Sequence, residues 1–116
     1  PTWETDPLGN NFGAGGLFLT LSELHKFGLF YLNKGSWNEK QILSEKWIEE
    51  STSASDTDDY GYLFWRGEHN SFRADGKYSQ ITMVLPEKNA VVSLVAECRK
   101  GEELMRALYD LVCAKI

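Results

Sequence analysis

Four groups of residues in this chain have types and spacings that bear on chemistry. The stretch Arg73-Ala-Asp-Gly-Lys-Tyr-Ser-Gln80 carries Asp75-Gly76 at its centre, between aromatic and aliphatic residues. Asp-Gly in such a setting is a strong hairpin signal, because both central residues of a type I′ turn need positive φ. His25 and His69 are candidate general bases, but one falls on a polar helix shoulder and the other in a turn beside Glu68 and Asn70, so both read as surface histidines. Asp56, Asp58 and Asp59 could gather a hard cation, yet the loop lacks the glycine and distal glutamate of an EF-hand, and a solvated acidic loop is the plainer account. Trp3, Trp47 and Trp65 offer stacking faces, with Trp65 next to Arg66-Gly67 the one of interest, though buried aromatics are commoner.

Composition limits what these groups can serve. A chain of 116 residues suits one compact domain that buries roughly two-thirds of its unfolded surface. With 42% hydrophobic and 25% charged residues it reads as globular, and no apolar run approaches the length of a bilayer. The net charge of −5 works against nucleic acid, which needs clustered Lys and Arg. Cys98 and Cys113 read as two free thiols: a turn and a C-terminal helix separate them, and neither has metal-ligand spacing to a second Cys or a His. No cofactor or metal is expected. The Pro-Thr-Trp start, without an initiator Met or leader, suggests a piece of something longer.

The elements that must position these residues follow from the periods. Residues 1–16 are rich in Gly, Pro and Asn and read as a loop. Residues 17–59 form a helical part. There Thr20 and Glu23 make a capping box, Leu21, Leu24, Phe27, Phe30 and Tyr31 recur at helical spacing to about Asn33, and Gly35 stops the helix. Ser44 caps a second, shorter helix with Trp47 and Ile48 facing inward. Residues 60–97 form antiparallel strands: an aromatic run from Tyr60, then two β-branched runs split by Pro86-Glu-Lys-Asn89. Ala90–Ala96 is apolar at nearly every position, as expected of a strand inside a sheet with both faces covered. Residues 101–116 form a terminal helix with Leu104, Leu108, Leu111 and Val112 on one stripe, laid on the sheet. The predicted class is α+β, with an antiparallel sheet of three to four strands and helices packed against it.

The order of these phrases resembles the C-terminal third of a serine β-lactamase-related hydrolase, nearest the class C-like branch with its penicillin-binding-protein and esterase relatives. It rests on Gly15-Gly16-Leu17 before the Thr20 cap, Tyr31-Leu32-Asn33 with Gly35, Trp37-Asn38 ahead of Ile42-Leu43-Ser44, and Pro86-Glu87 between two strands. The likeness spans essentially the whole chain and implies acyl transfer on an ester, amide or β-lactam. In that family Ser-x-x-Lys supplies the nucleophile, a Tyr-x-Asn or Ser-x-Asn motif follows, and Lys-Thr-Gly or His-x-Gly lies on a facing strand. No serine here has a lysine three residues on, so the nucleophile is absent from this chain. Tyr31-Leu32-Asn33 closes a helix and falls after the place of the family's second motif.

Ala74-Asp75-Gly76 falls where the family places its third motif. The resemblance implies a substrate-binding and oxyanion wall made by Ala74, Asp75, Gly76, Lys77 and Gln80. Gly76 would admit the substrate closely and the Lys77 N–H would be the oxyanion donor. Ala74 stands where relatives carry a basic residue, and Tyr78-Ser79 where many have a glycine pair, so an ester, amide or peptide is a better substrate than a β-lactam. The same resemblance places strands from the start of a longer chain beside Ala90–Ala96. Without them, that edge is expected to pair with a second copy or to be covered by the N-terminal loop. A non-catalytic ligand-binding or sensor domain on this scaffold is the alternative, and an unrelated α+β interaction module a third.

Overall fold

A computed structural model describes residues 1–13, 15–55 and 59–116. Strand β1, Thr2–Trp3, pairs antiparallel with β2, Leu17–Phe18, so the N-terminal loop is closed at its base by a short ladder. Helix α1, Leu21–Leu32, begins at the predicted box. The Thr20 hydroxyl accepts the Glu23 N–H at 3.3 Å, and the Glu23 carboxylate accepts the Thr20 N–H at 2.8 Å. The hydrogen bond from the Thr20 backbone, followed by the bond from the Pro1 amino group, lowers the Glu23 carboxyl from 4.5 to about 2. A lowered folded-state value gives a contribution that is complete above 4.5 and lost as pH falls toward 2. Helix α1 is therefore expected to fray across that window, and Glu23→Gln to remove that part of the acid transition, as read by circular dichroism.

A two-residue hairpin, β3 (Ser36–Trp37) with β4 (Lys40–Gln41), leads to helix α2, Glu45–Thr52, whose Ser44 hydroxyl accepts the Trp47 N–H at 3.1 Å. The expected inward pair divides: Ile48 is buried, whereas Trp47 is 44% exposed and tilts against Tyr62. With only eight residues, the buried side of this helix is a narrow strip through Ile48, Ser51 and Thr52, and the adjacent position falls outside it.

The main sheet has four antiparallel strands in chain order: β5 (Trp65–Arg66), β6 (Phe72–Gly76), β7 (Gln80–Leu85) and β8 (Ala90–Leu94). The aromatic run from Tyr60 enters it late. Only Trp65 and Arg66 form a strand, while Leu63 has φ of 67°. Helix α1 lies across β7 and β8, and α3 (Gly101–Leu111) covers the opposite face before a single 3₁₀ turn, Cys113–Lys115. Both faces of the sheet are thus dressed, which makes β7 the buried strand: Ile81, Met83 and Leu85 point to α3, and Thr82 and Val84 to α1. On the α1 side Tyr31, Ile48, Phe64, Phe72 and Val84 form one core, with Tyr31 tilted onto Phe64 at 4.7 Å between ring centres. On the other side Ile81, Met83 and Leu85 meet Tyr109 and Cys113. Gly28 sets the α1 spacing, since a Cβ there would sit 2.5 Å from Thr82 Oγ1 and 2.6 Å from a Val91 methyl.

Two sequence expectations are corrected here. The strand from Ala90 has helices over both faces, as its apolar run implied, but it lies at the sheet's edge, and its five residues are only half-buried. Among the described residues its ladder partner is β7 alone; β1 and β2 pair with each other, so the N-terminal loop adds no strand to it. The stripe on α3 is rotated from the predicted one. Leu108 is buried with Tyr109 and Cys113, while Leu111 and Val112 are exposed at 64% and 36%. Tyr109 claims the interior because its hydroxyl bonds Ser71 at 3.2 Å beneath the sheet, which turns the helix toward Met105, Tyr109 and Cys113.

Candidate functional site

Ala74-Asp75-Gly76 is the end of a strand, not a two-residue turn. Asp75 pairs with Ile81 and Gly76 with Gln80, and the chain reverses through Lys77-Tyr78-Ser79. The Ser79 N–H bonds the Gly76 carbonyl at 3.1 Å. A turn at Asp75-Gly76 would shift β6 against β7 by an odd number of residues and put Ile81, Met83 and Leu85 on the wrong face relative to Phe72 and Ala74. Burial of β7 decides the register against the local signal. The loop is also tied from outside: the Cys98 N–H bonds the Tyr78 carbonyl at 3.1 Å, and the Ser79 hydroxyl donates to the Cys98 carbonyl at 3.4 Å.

The positive φ values fall on Tyr78 (63°) and Ser79 (70°), the two positions where the resemblance has a glycine pair. An L-residue there costs roughly 1–2 kcal/mol. Ser79 is 5% exposed and its one side-chain bond is long, so Ser79→Gly should stabilise the fold, raising the free energy of unfolding by about 1 kcal/mol in urea titrations. Tyr78 has a competing role, since the Lys77 ammonium and the Arg99 guanidinium sit 4.9 and 5.5 Å from its ring centre.

The end of β6 borders two clefts on opposite faces of the sheet. The first, of about 770 Å³, is walled by Ala74, Asp75, Gly76 and Gln80 on one side and by Trp3, Phe12, Leu17, Phe18 and Leu63 on the other. Its apolar wall is open to solvent: Trp3 is 48% exposed and Phe18 58%. The second, of about 860 Å³, lies between β6 and α3 and takes in Asp75, Gly76, Lys77, Trp65, Arg73 and Arg106. Four of the five residues assigned to the wall thus meet at the first cleft, while Lys77 borders the second. The Asp75 carboxylate is held by Arg73 Nε at 3.0 Å, with both side chains largely covered. The Gln80 amide is also engaged, donating to the Ala96 carbonyl as the chain leaves β8. What remains free to meet a ligand is backbone and the small surface of Ala74 and Gly76.

The other candidates stay apart from this place. Tyr31 packs in the aromatic core, where burial pushes its hydroxyl's pKa up, and neither it nor Asn33 borders either cleft. His69 lies near Tyr109 and borders neither cleft. His25 is not on a free shoulder: its Nδ1 is 3.1 Å from the Ser93 hydroxyl, which is in turn 2.8 Å from Thr82 Oγ1. Nothing local in the sequence signals that chain of hydroxyls, because the partners lie on different elements. Asp56 and Asp58 lie outside the described residues; among those described, no group of three or more His, Cys, Asp or Glu side chains gathers to hold a metal. Cys98 and Cys113 are both free thiols, and burial raises the pKa of Cys113. No described helix is long and apolar enough to cross a membrane. No protein-family model matches the chain, and no curated protein matches it.

Proposed function

We propose that this α+β chain is the C-terminal part of a serine hydrolase related to the class C-like β-lactamases, penicillin-binding proteins and esterases. In this reading it supplies one wall of the active site and leaves the nucleophile to the rest of the parent. The observation that carries the reading is the placement of Gly76: it ends β6 where a cleft opens on each face of the sheet, with Ala74 on one and Lys77 on the other. The succession of β6, β7 and β8 followed by α3 across the sheet supports it.

The chemistry assigned to this wall is electrostatic. A substrate carbonyl drawn against Gly76 from the cleft that Lys77 borders meets the Lys77 N–H, which stabilises the oxyanion formed when the parent's serine attacks. With no cation at Ala74, a carboxylate next to the scissile bond has no partner there, so a neutral ester, an amide or a peptide is the fitting substrate class. A fluorophosphonate probe is expected to label the full-length parent and to leave this 116-residue chain unlabelled. Labelling of any serine within residues 1–116 would overturn the assignment. Ala74 together with the engaged Gln80 amide favours a second reading, a ligand-binding or sensor domain on the same scaffold. A parent that carries neither Ser-x-x-Lys nor Tyr-x-Asn ahead of Pro1 would establish that one.

A further inference from the structure

We infer that His25, Ser93 and Thr82 form a one-way hydroxyl relay that seats α1 on the sheet while His25 is neutral and loosens it when His25 takes up a proton. The hydrolase assignment plays no part in this. The three side chains meet on the α1 face of the sheet: His25 Nδ1 lies 3.1 Å from Ser93 Oγ, which lies 2.8 Å from Thr82 Oγ1. Thr82 stands directly opposite Ser93 in the ladder and is 1% exposed. Gly28 of α1 covers it so closely that a Cβ there would sit 2.5 Å from the hydroxyl oxygen. Each hydroxyl has one proton to give. Among the described residues the Thr82 hydroxyl has Ser93 as its one hydrogen-bond partner, so its proton goes to the Ser93 oxygen. Ser93 then gives its own proton to His25 Nδ1. That nitrogen accepts and carries no hydrogen, which makes the imidazole neutral with its proton on Nε2.

Protonation reverses the order. An imidazolium has a hydrogen on both nitrogens, so Nδ1 donates to Ser93, Ser93 turns its proton toward Thr82, and the Thr82 proton is left without an acceptor in a place closed to solvent. The fold must strand that donor or part His25 from Ser93, and either loosens α1. The strands β3, β7 and β8, which meet α1, carry no charged or titratable side chain that could offset this. On α1 itself Glu23 and Lys26 flank His25; the Glu23 carboxylate is committed to Thr20 and to the Pro1 amino group at 3.1 Å, and Lys26 is exposed. A fold that favours neutral His25 binds this proton less readily than the unfolded chain does. Its stability is therefore complete at higher pH and is lost as pH falls through about 6.5, where a free imidazole is protonated. That loss lies above the window of Glu23, so the two acid effects separate.

The relay is tested on the unmodified chain by long-range proton–nitrogen correlation spectroscopy at about pH 8, where imidazole is neutral. A His25 Nδ1 without a hydrogen and an Nε2 with one are expected, with the exposed His69 as internal reference; a hydrogen on Nδ1 overturns the relay. Amide exchange along Leu24–Gly28 should quicken as the His25 signals report protonation, and exchange unchanged across that step overturns the switch. Urea titrations give the size of the effect: the ratio of folded to unfolded chain should fall about tenfold between about pH 8 and pH 5. Thr82→Val removes the stranded donor and Ser93→Ala cuts the relay, so each should lose most of that fall; a fall undiminished in either variant also overturns the switch. Circular dichroism confirms that each variant keeps the native fold, and the exchange measurement on the unmodified chain decides the question should a variant not fold.

Discussion

Met83→Ala is expected to cost about 2–5 kcal/mol of folding free energy. Met83 has 0% exposure at the centre of β7, between Ile81 and Leu85 on the α3 face. Cys113 caps it from the C-terminal turn, with its Sγ 3.9 Å from the Met83 Sδ. β7 is paired on both sides, so its backbone cannot sink to fill the void, and the cavity term adds to the lost transfer energy. Domains of this kind hold only about 5–15 kcal/mol in total, so the variant should melt far below the parent. Met83→Leu keeps the volume and should lose less than about 1.5 kcal/mol. If Met83→Ala changed stability by no more than about 0.5 kcal/mol, as a surface substitution does, the packing of α3 on this face would be refuted.

If the proposed hydrolase reading holds, Lys77→Pro in the full-length parent should lower kcat by about 10²- to 10³-fold while KM changes little, the effect of removing one oxyanion donor. Proline is the discriminating choice because it deletes the N–H and fits this turn. Lys77 follows the carbonyl that accepts the Ser79 N–H, it is not among the residues of positive φ, and Tyr78 after it has φ of 63°. That is the position a type II turn gives to proline. Lys77→Ala keeps the amide and should retain nearly the parent's rate. Equal rates for the two variants would remove Lys77 from the oxyanion role, without touching the question of where the nucleophile lies.

The parts of this fold that were legible in the sequence are those decided within a few residues or by long apolar runs. Thr20 and Glu23 are three apart and satisfy each other, so the start of α1 appears where their pattern puts it. The β-branched runs around Pro86 become β7 and β8, antiparallel as read. What was not legible depends on partners distant in the chain. Asp75-Gly76 carries a turn signal, yet the strand register belongs to the face that Ile81, Met83 and Leu85 bury against α3. An apolar run tells that Ala90–Leu94 is covered above and below, not whether a neighbour stands beside it. Tyr109 turns α3 toward Ser71, and His25 reaches Ser93 across 68 positions; neither pairing has a period to betray it. Ala74, Asp75, Gly76 and Gln80 border one cleft because they sit at one strand end, while Lys77 borders the other; the engagement of Gln80 by Ala96 had no signal in the sequence.

Asp75 and Gly76 border the clefts on both faces of the sheet, so a single thickness of backbone divides two compartments. Its ladder to Ile81 and Gln80 holds that thickness from within the hairpin, and the bond from the Cys98 N–H to the Tyr78 carbonyl anchors the loop beyond it from outside.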